Sequence, residues 1–129
     1  MGLDNGICVK RTPVTEKIPE MALFEDDFIR KYKYDYEPCY WRKCYNVRDK
    51  ILAILDDGDY YRLELSVNDV ERIAEMPKSF TADNWEDGSG SIWEFDEIRD
   101  TLENQIRNLE ILRRLMQEHE LEVYFYDSY

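Results

Sequence analysis

The window EPCYWRKCYNVRDK sets Trp41 among Arg42, Lys43, Arg48 and Lys50 in a chain that is otherwise strongly acidic. A guanidinium fork holds phosphate oxygens in pairs and an indole face stacks on a nucleobase. Trp41, Arg42, Lys43 and Arg48 therefore form one candidate ligand-binding set, with a small anion or nucleotide as its ligand. The competing interpretation makes Trp41 a core residue and turns the cations toward acids elsewhere in the fold. Charge is unevenly distributed along the chain. Residues 30–50 hold seven basic and three acidic side chains, whereas residues 83–103 hold eight acids against Arg99 alone. Within the acidic stretch, Trp85 and Trp93 flank the turn EDGSGS. Trp85, Glu86, Asp87, Trp93 and Glu94 make a second candidate set, an aromatic contact within an acidic partner-binding surface. Tryptophans that anchor a loop onto the core would give the same pattern.

Other chemistry finds less support. Cys8, Cys39, Cys44 and His119 nominally supply four zinc ligands, but structural zinc pairs sit closer together than Cys39 and Cys44, and the expected helix turns Cys44 inward. His119 falls near a helix end, where a cation is favoured by the dipole. The chain has no HExxH, phosphate-binding glycine loop, GxSxG elbow or dinucleotide fingerprint, so no cofactor and no metal is implied. With 29 acidic residues, carboxylates meeting in space are expected by chance, and no glycosidase-like pair can be singled out.

The elements that must position these residues follow from periodicity. Residues 3–9 read as a first strand. Residues 11–38 are mixed: Pro13 and Pro19 break helix, Met21, Phe24, Phe28 and Ile29 suit one short helical face, and the alternation Tyr32, Tyr34, Tyr36 suggests a strand ending before Pro38. Apolar spacing predicts a helix over 40–55, stopped by Asp56, Asp57 and Gly58, then a strand over 60–65. Ser66 and Asp69 resemble a capping box opening a helix that turns Val70, Ile73 and Ala74 inward and ends before Pro77. A loop follows with Phe80 and Trp85 tucked in. The longest helix covers 95–119 through Ile98, Leu102, Ile106, Leu109, Leu112 and Met116, with outward pairs Glu103 with Arg107 and Glu110 with Arg114. The tail alternates Leu121, Val123 and Phe125 against Glu122, Tyr124 and Tyr126, a final strand. This order predicts a single α+β domain over 1–129: one mixed or antiparallel sheet of three to four strands against two to three helices.

Composition bounds the function. A length of 129 residues suits one core, and 43% apolar residues with ten tyrosines can build it. The net charge of −12 repels phosphate backbones, which argues against direct nucleic-acid binding and suits either solubility or mimicry of DNA. An odd count of three cysteines without a signal peptide points to a reducing cytoplasm. No apolar run spans a membrane, and Gly6 stands where a myristoylation pattern requires Ser or Thr.

The segments MGLDNGICVK, CYWRKCYNVRDKIL, SIWEFDE and EVYFYDSY together resemble an uncharacterised group of small acidic proteins of phages, prophages and Firmicutes-type hosts. More distant members of that group carry a His-Trp pair where this chain has Val47 and Arg48. The resemblance supplies no catalytic residue, and it implies a phage or mobile-element accessory protein. The leading expectation is accordingly a non-catalytic binding protein, an anti-defence inhibitor that sets its acidic surface against a basic groove on a host protein. A nucleotide sponge using Trp41, Arg42 and Arg48 is the alternative, and a small enzyme acting on such a ligand the third.

Overall fold

Strand-forming residues at the two ends of the sequence meet at the centre of the molecule. The computed structural model describes residues 4–42, 44–55, 62–81, 83, 85 and 94–128. Strand β1 (Asp4–Val9) pairs antiparallel on one side with β2 (Tyr36–Arg42) and on the other with β4 (Val123–Ser128), and β4 pairs antiparallel with β3 (Arg62–Glu64). The sheet order is β2-β1-β4-β3. Ile7 faces Phe125 and Val9 faces Val123 across the central pair. These residues enter one core with the inward faces of α2 (Tyr45–Leu55), α3 (Val67–Glu75) and α4 (Phe95–Glu118). The fold is α+β, with a wholly antiparallel sheet and its longest helix near the C-terminus.

Local chemistry accounts for most boundaries. Ser66 accepts from the Asp69 amide at 3.1 Å, and Asp69 accepts from the Ser66 amide at 3.0 Å. This capping box, with Asp in the usual Glu position, starts α3, which buries Val70, Ile73 and Ala74 as its spacing requires. Helix α3 then passes into a 3-10 turn, Met76–Ser79, that contains Pro77. In α4, Ile98, Leu102, Leu109 and Leu112 are buried, joined by Leu115 and Gln105. The outward pairs differ from expectation. Arg114 reaches Glu118 at 3.2 Å and Glu20 at 3.5 Å, and Arg107 donates to Asn104. In β3 the expected start at 60 and 61, like the helix stop at 56–58, lies outside the described residues.

The segment before α2 departs most from its sequence reading. Tyr32 ends a short helix, α1 (Asp27–Tyr32), opened by Asp26, whose carboxylate accepts from the Ile29 amide. Lys33 closes it in the left-handed region, with φ of 57°. The strand begins only at Tyr36 and runs through Pro38 to Arg42, so Trp41 lies on a strand and the following helix begins at Tyr45. Proline is tolerated because β2 is an edge strand and its pairing with β1 is irregular between Ile7 and Val9. The outer carbonyls of β2 are taken by α4: Asn108 donates to Pro38 O at 2.9 Å and Gln105 to Tyr40 O at 3.1 Å. An edge covered in this way is closed to strand addition. The proposed single helical face also divides. Met21 and Phe24 are buried from a 3-10 turn, Pro19–Phe24, whereas Phe28 on α1 is 59% exposed.

Gly6 is required by a close approach. The Tyr126 ring lies across it, and a Cβ at position 6 would stand 2.4 Å from Tyr126 Cε1. Gly6→Ala is expected to lower stability by about 2 kcal/mol, the usual cost of overpacking. Denaturant unfolding checks this, and in a Tyr126→Ala background the penalty should largely vanish.

Candidate functional site

The residues of the basic window are not gathered into an open site. Trp41 is 1% exposed, and its indole N–H donates to Gln105 Oε1 at 2.6 Å inside the core. No face of that ring is left for a base. Arg48 projects from α2 to Asp127 on β4, with Nε and Nη2 donating to the two carboxylate oxygens at 2.9 Å each. Asp127 is 7% exposed and takes a further hydrogen bond from Asn5 at 2.7 Å. A planar guanidinium that meets a carboxylate in this bidentate manner has its phosphate-binding edge occupied. Arg42 is exposed at the end of β2 and has an interaction partner; Lys43 lies outside the described residues. Two further cations of residues 30–50 are engaged: Arg30 with Glu25 and Asp27, both at 3.2 Å, and Lys50 with Ser79 and the face of Phe80.

The acidic candidate set divides in the same way. Trp85 is buried, edge-on to Phe80 at 4.9 Å between ring centroids, and its carbonyl accepts from Asn46 of α2. It anchors its loop and does not serve as a contact residue. Glu86, Asp87 and Trp93 lie outside the described residues. Glu94 is exposed and caps α4 reciprocally with Glu97. Beyond it, Asp96, Asp100 and Glu103 are all exposed, spaced four and three apart on the face of α4 turned away from the buried Ile98 and Leu102. Arg99, 3.8 Å from Asp96, is the lone base among residues 94–103.

A third surface carries chemistry that sequence reading passed over. Gly6, Cys8, Tyr40, Tyr124 and Tyr126 belong to the sheet face opposite the helices. Here Tyr126 reaches across β1 to donate to Glu37 at 3.1 Å, Tyr124 donates to Asp35 at 2.6 Å, and Tyr40 donates to Asp4 at 2.8 Å. Arg62 lies over the Tyr124 ring, 3.5 Å from its centroid. Burial, reinforced by the accepting carboxylates, raises all three phenol pKa values, that of Tyr40 to about 12. Glu37 is raised too, chiefly by desolvation, against the hydrogen bonds from Tyr126 and Cys8 that favour its anion. The available signal was the alternation Tyr124, Tyr126 opposite Gly6, legible only once the strands are paired. Nearby, Arg62, Glu64, Glu122 and Tyr124 line a cavity of about 220 Å³, below the usual range for small-molecule sites. A larger groove of about 480 Å³ lies between α3 and α4, and its wall includes the Glu71 and Arg113 pair at 3.2 Å.

Nucleophilic chemistry is not poised at the thiols. Burial pushes Cys8 and Cys44 up to about 12 and Cys39 well above its ordinary value, with Glu37 adding to the shift at Cys8. Among the described residues no group of three His, Cys, Asp or Glu side chains is placed to hold a metal, and no helix there is long and apolar enough to cross a membrane. No protein-family model matches the chain, and no curated protein or solved structure matches it.

Two outcomes follow from these environments. Cys8, Cys39 and Cys44 are free and buried, so the native protein should leave a thiol-titrating disulfide reagent nearly unreacted at mildly alkaline pH, and denaturant should release all three thiols. A folded pKa of Glu37 above its unfolded value means that the native state binds the proton more tightly. Its contribution to stability is therefore full below the ordinary carboxylate range and is lost as pH rises through the elevated folded value. Glu37→Gln should melt higher than the wild type at neutral pH, and the two curves should converge in acid.

Proposed function

We propose that this protein is a non-catalytic binding protein that docks its acidic α4 surface against a basic groove on another protein. The observation that carries the reading is the exposed stripe Asp96, Asp100 and Glu103, continued by Glu94 and Glu97 at the helix start. Five carboxylates against Arg99 alone, in a chain of net charge −12, set up a field that attracts and orients a cationic partner. The helix dipole stabilises the acids of the first turn without need of a partner; it does not reach Asp100 and Glu103, which lie beyond that turn. The likeness to small phage and prophage proteins supports a host protein as the partner, blocking of a defence component as the role, and the host cytoplasm as the compartment. No observation favours the nucleotide sponge, because Trp41 is enclosed and Arg48 is held by Asp127.

The triple reversal Asp96→Lys, Asp100→Lys, Glu103→Lys tests the reading, since all three side chains are exposed and the fold should tolerate the change. Pull-down from host lysate should recover a basic protein at low salt, release it as salt rises, and fail with the variant. Equal recovery by the wild type and the triple variant, or capture that is indifferent to salt, would refute the assignment.

A further inference from the structure

Three of the large apolar side chains left in water lie together. Phe28 and Tyr32 on α1 and Tyr34 just beyond it are 59%, 51% and 52% exposed. Their ring centroids are 4.8, 5.5 and 5.9 Å apart, so the three rings form one cluster. Large aromatic rings grouped on a surface expose area that burial would stabilise, and such groups mark contact sites. Electrostatics selects what can cover them. Lys31 and Lys33 stand beside the rings, Arg30 is paired with Glu25 and Asp27, and Asp26, Asp27 and Asp35 border the same segment, so the patch carries both signs. For two copies of a chain with net charge −12, approach over a patch that carries cations meets less repulsion than approach over the acidic α4 surface.

The patch is also complementary to itself. Asp26 and Asp27 stand at the start of α1, with Arg30, Lys31 and Lys33 at its end. An interface about a two-fold axis brings the same surface of both subunits together. Two α1 helices crossing antiparallel would set the acidic end of each beside the basic end of the other, with the rings packed between. We infer that the Phe28, Tyr32 and Tyr34 cluster is a self-association face whose occupant is a second copy of this chain. Lys31 lies 5.4 Å from the Tyr32 centroid and the Asp27 side chain is fully exposed, so both are within reach of a partner at this surface.

Sedimentation equilibrium over a dilution series tests the inference. The wild type should sediment as a dimer that dissociates on dilution. Phe28→Asp with Tyr34→Asp should be monomeric, with unchanged circular dichroism and, at dilutions where the wild type is itself dissociated, an unchanged melting temperature, because both side chains are exposed. Asp27→Lys alone, and Lys31→Glu with Lys33→Glu, should each be monomeric, since each sets like charges across the axis. An equal mixture of those two proteins should recover the dimer mass, because the opposed charges are then restored between subunits. A wild type that is monomeric at every concentration, or a dimer that survives the Phe28 and Tyr34 replacements, overturns the inference. Failure of the mixture to recover mass overturns the two-fold arrangement and points to contact with the α4 acids of a second copy.

Discussion

Taking a guanidinium out of water is costly unless a carboxylate receives it in good geometry, and Arg48 meets Asp127 under that condition. The pair ties α2 to the last strand, and Asn5 ties the same carboxylate to the first. Three segments far apart in sequence are thereby fixed at one point, next to the central β1 and β4 pairing. Trp41 and Gln105 do the same for β2 and α4. Trp41 and Arg48, which on paper belong to a binding site for a small anion, are polar ties of the core.

With Arg48 held by Asp127, the surface separates into regions of different character. The outward face of the first half of α4 is acidic. The outer face of the sheet carries tyrosines whose hydroxyls are each given to a carboxylate, a set of neutral donors and held acceptors with no activated nucleophile. The end of α1 exposes three rings among cations. Arg11 stabilises the irregular segment that presents those rings. It is stacked on Tyr36, 4.2 Å from the ring centroid, and donates to Glu25 at 2.8 Å, whose carboxyl it holds below the usual range.

Periodic elements were readable from the chain because their burial is repetitive. Helix α4, helix α3 with its Ser66 and Asp69 box, and the alternation that ends in Phe125 each place several residues under one rule. Single-residue rules fared worse. Pro38 reads as a strand stop, yet it sits on an irregular edge whose carbonyl receives Asn108, a residue 70 positions away. Trp41 fits a helical spacing and lies instead on β2, because pairing with β1 and a hydrogen bond to Gln105 outweigh local pattern. The charge imbalance of residues 30–50 was a true property of the chain, but charge in sequence does not say which cations meet acids in space. Arg48 and Asp127 lie 79 positions apart, and only the closed sheet brings them together.

The claim that the basic window belongs to the fold is tested most directly by a double-mutant cycle at Arg48 and Asp127, using Arg48→Met, Asp127→Asn and the double variant in urea unfolding. Each single change should cost about 3 kcal/mol, as expected when one partner of a buried pair is left alone, and the double variant should cost far less than their sum. Additive losses below about 0.5 kcal/mol each would mean that Arg48 is not held by Asp127, and would return it to the surface as a residue available to a ligand.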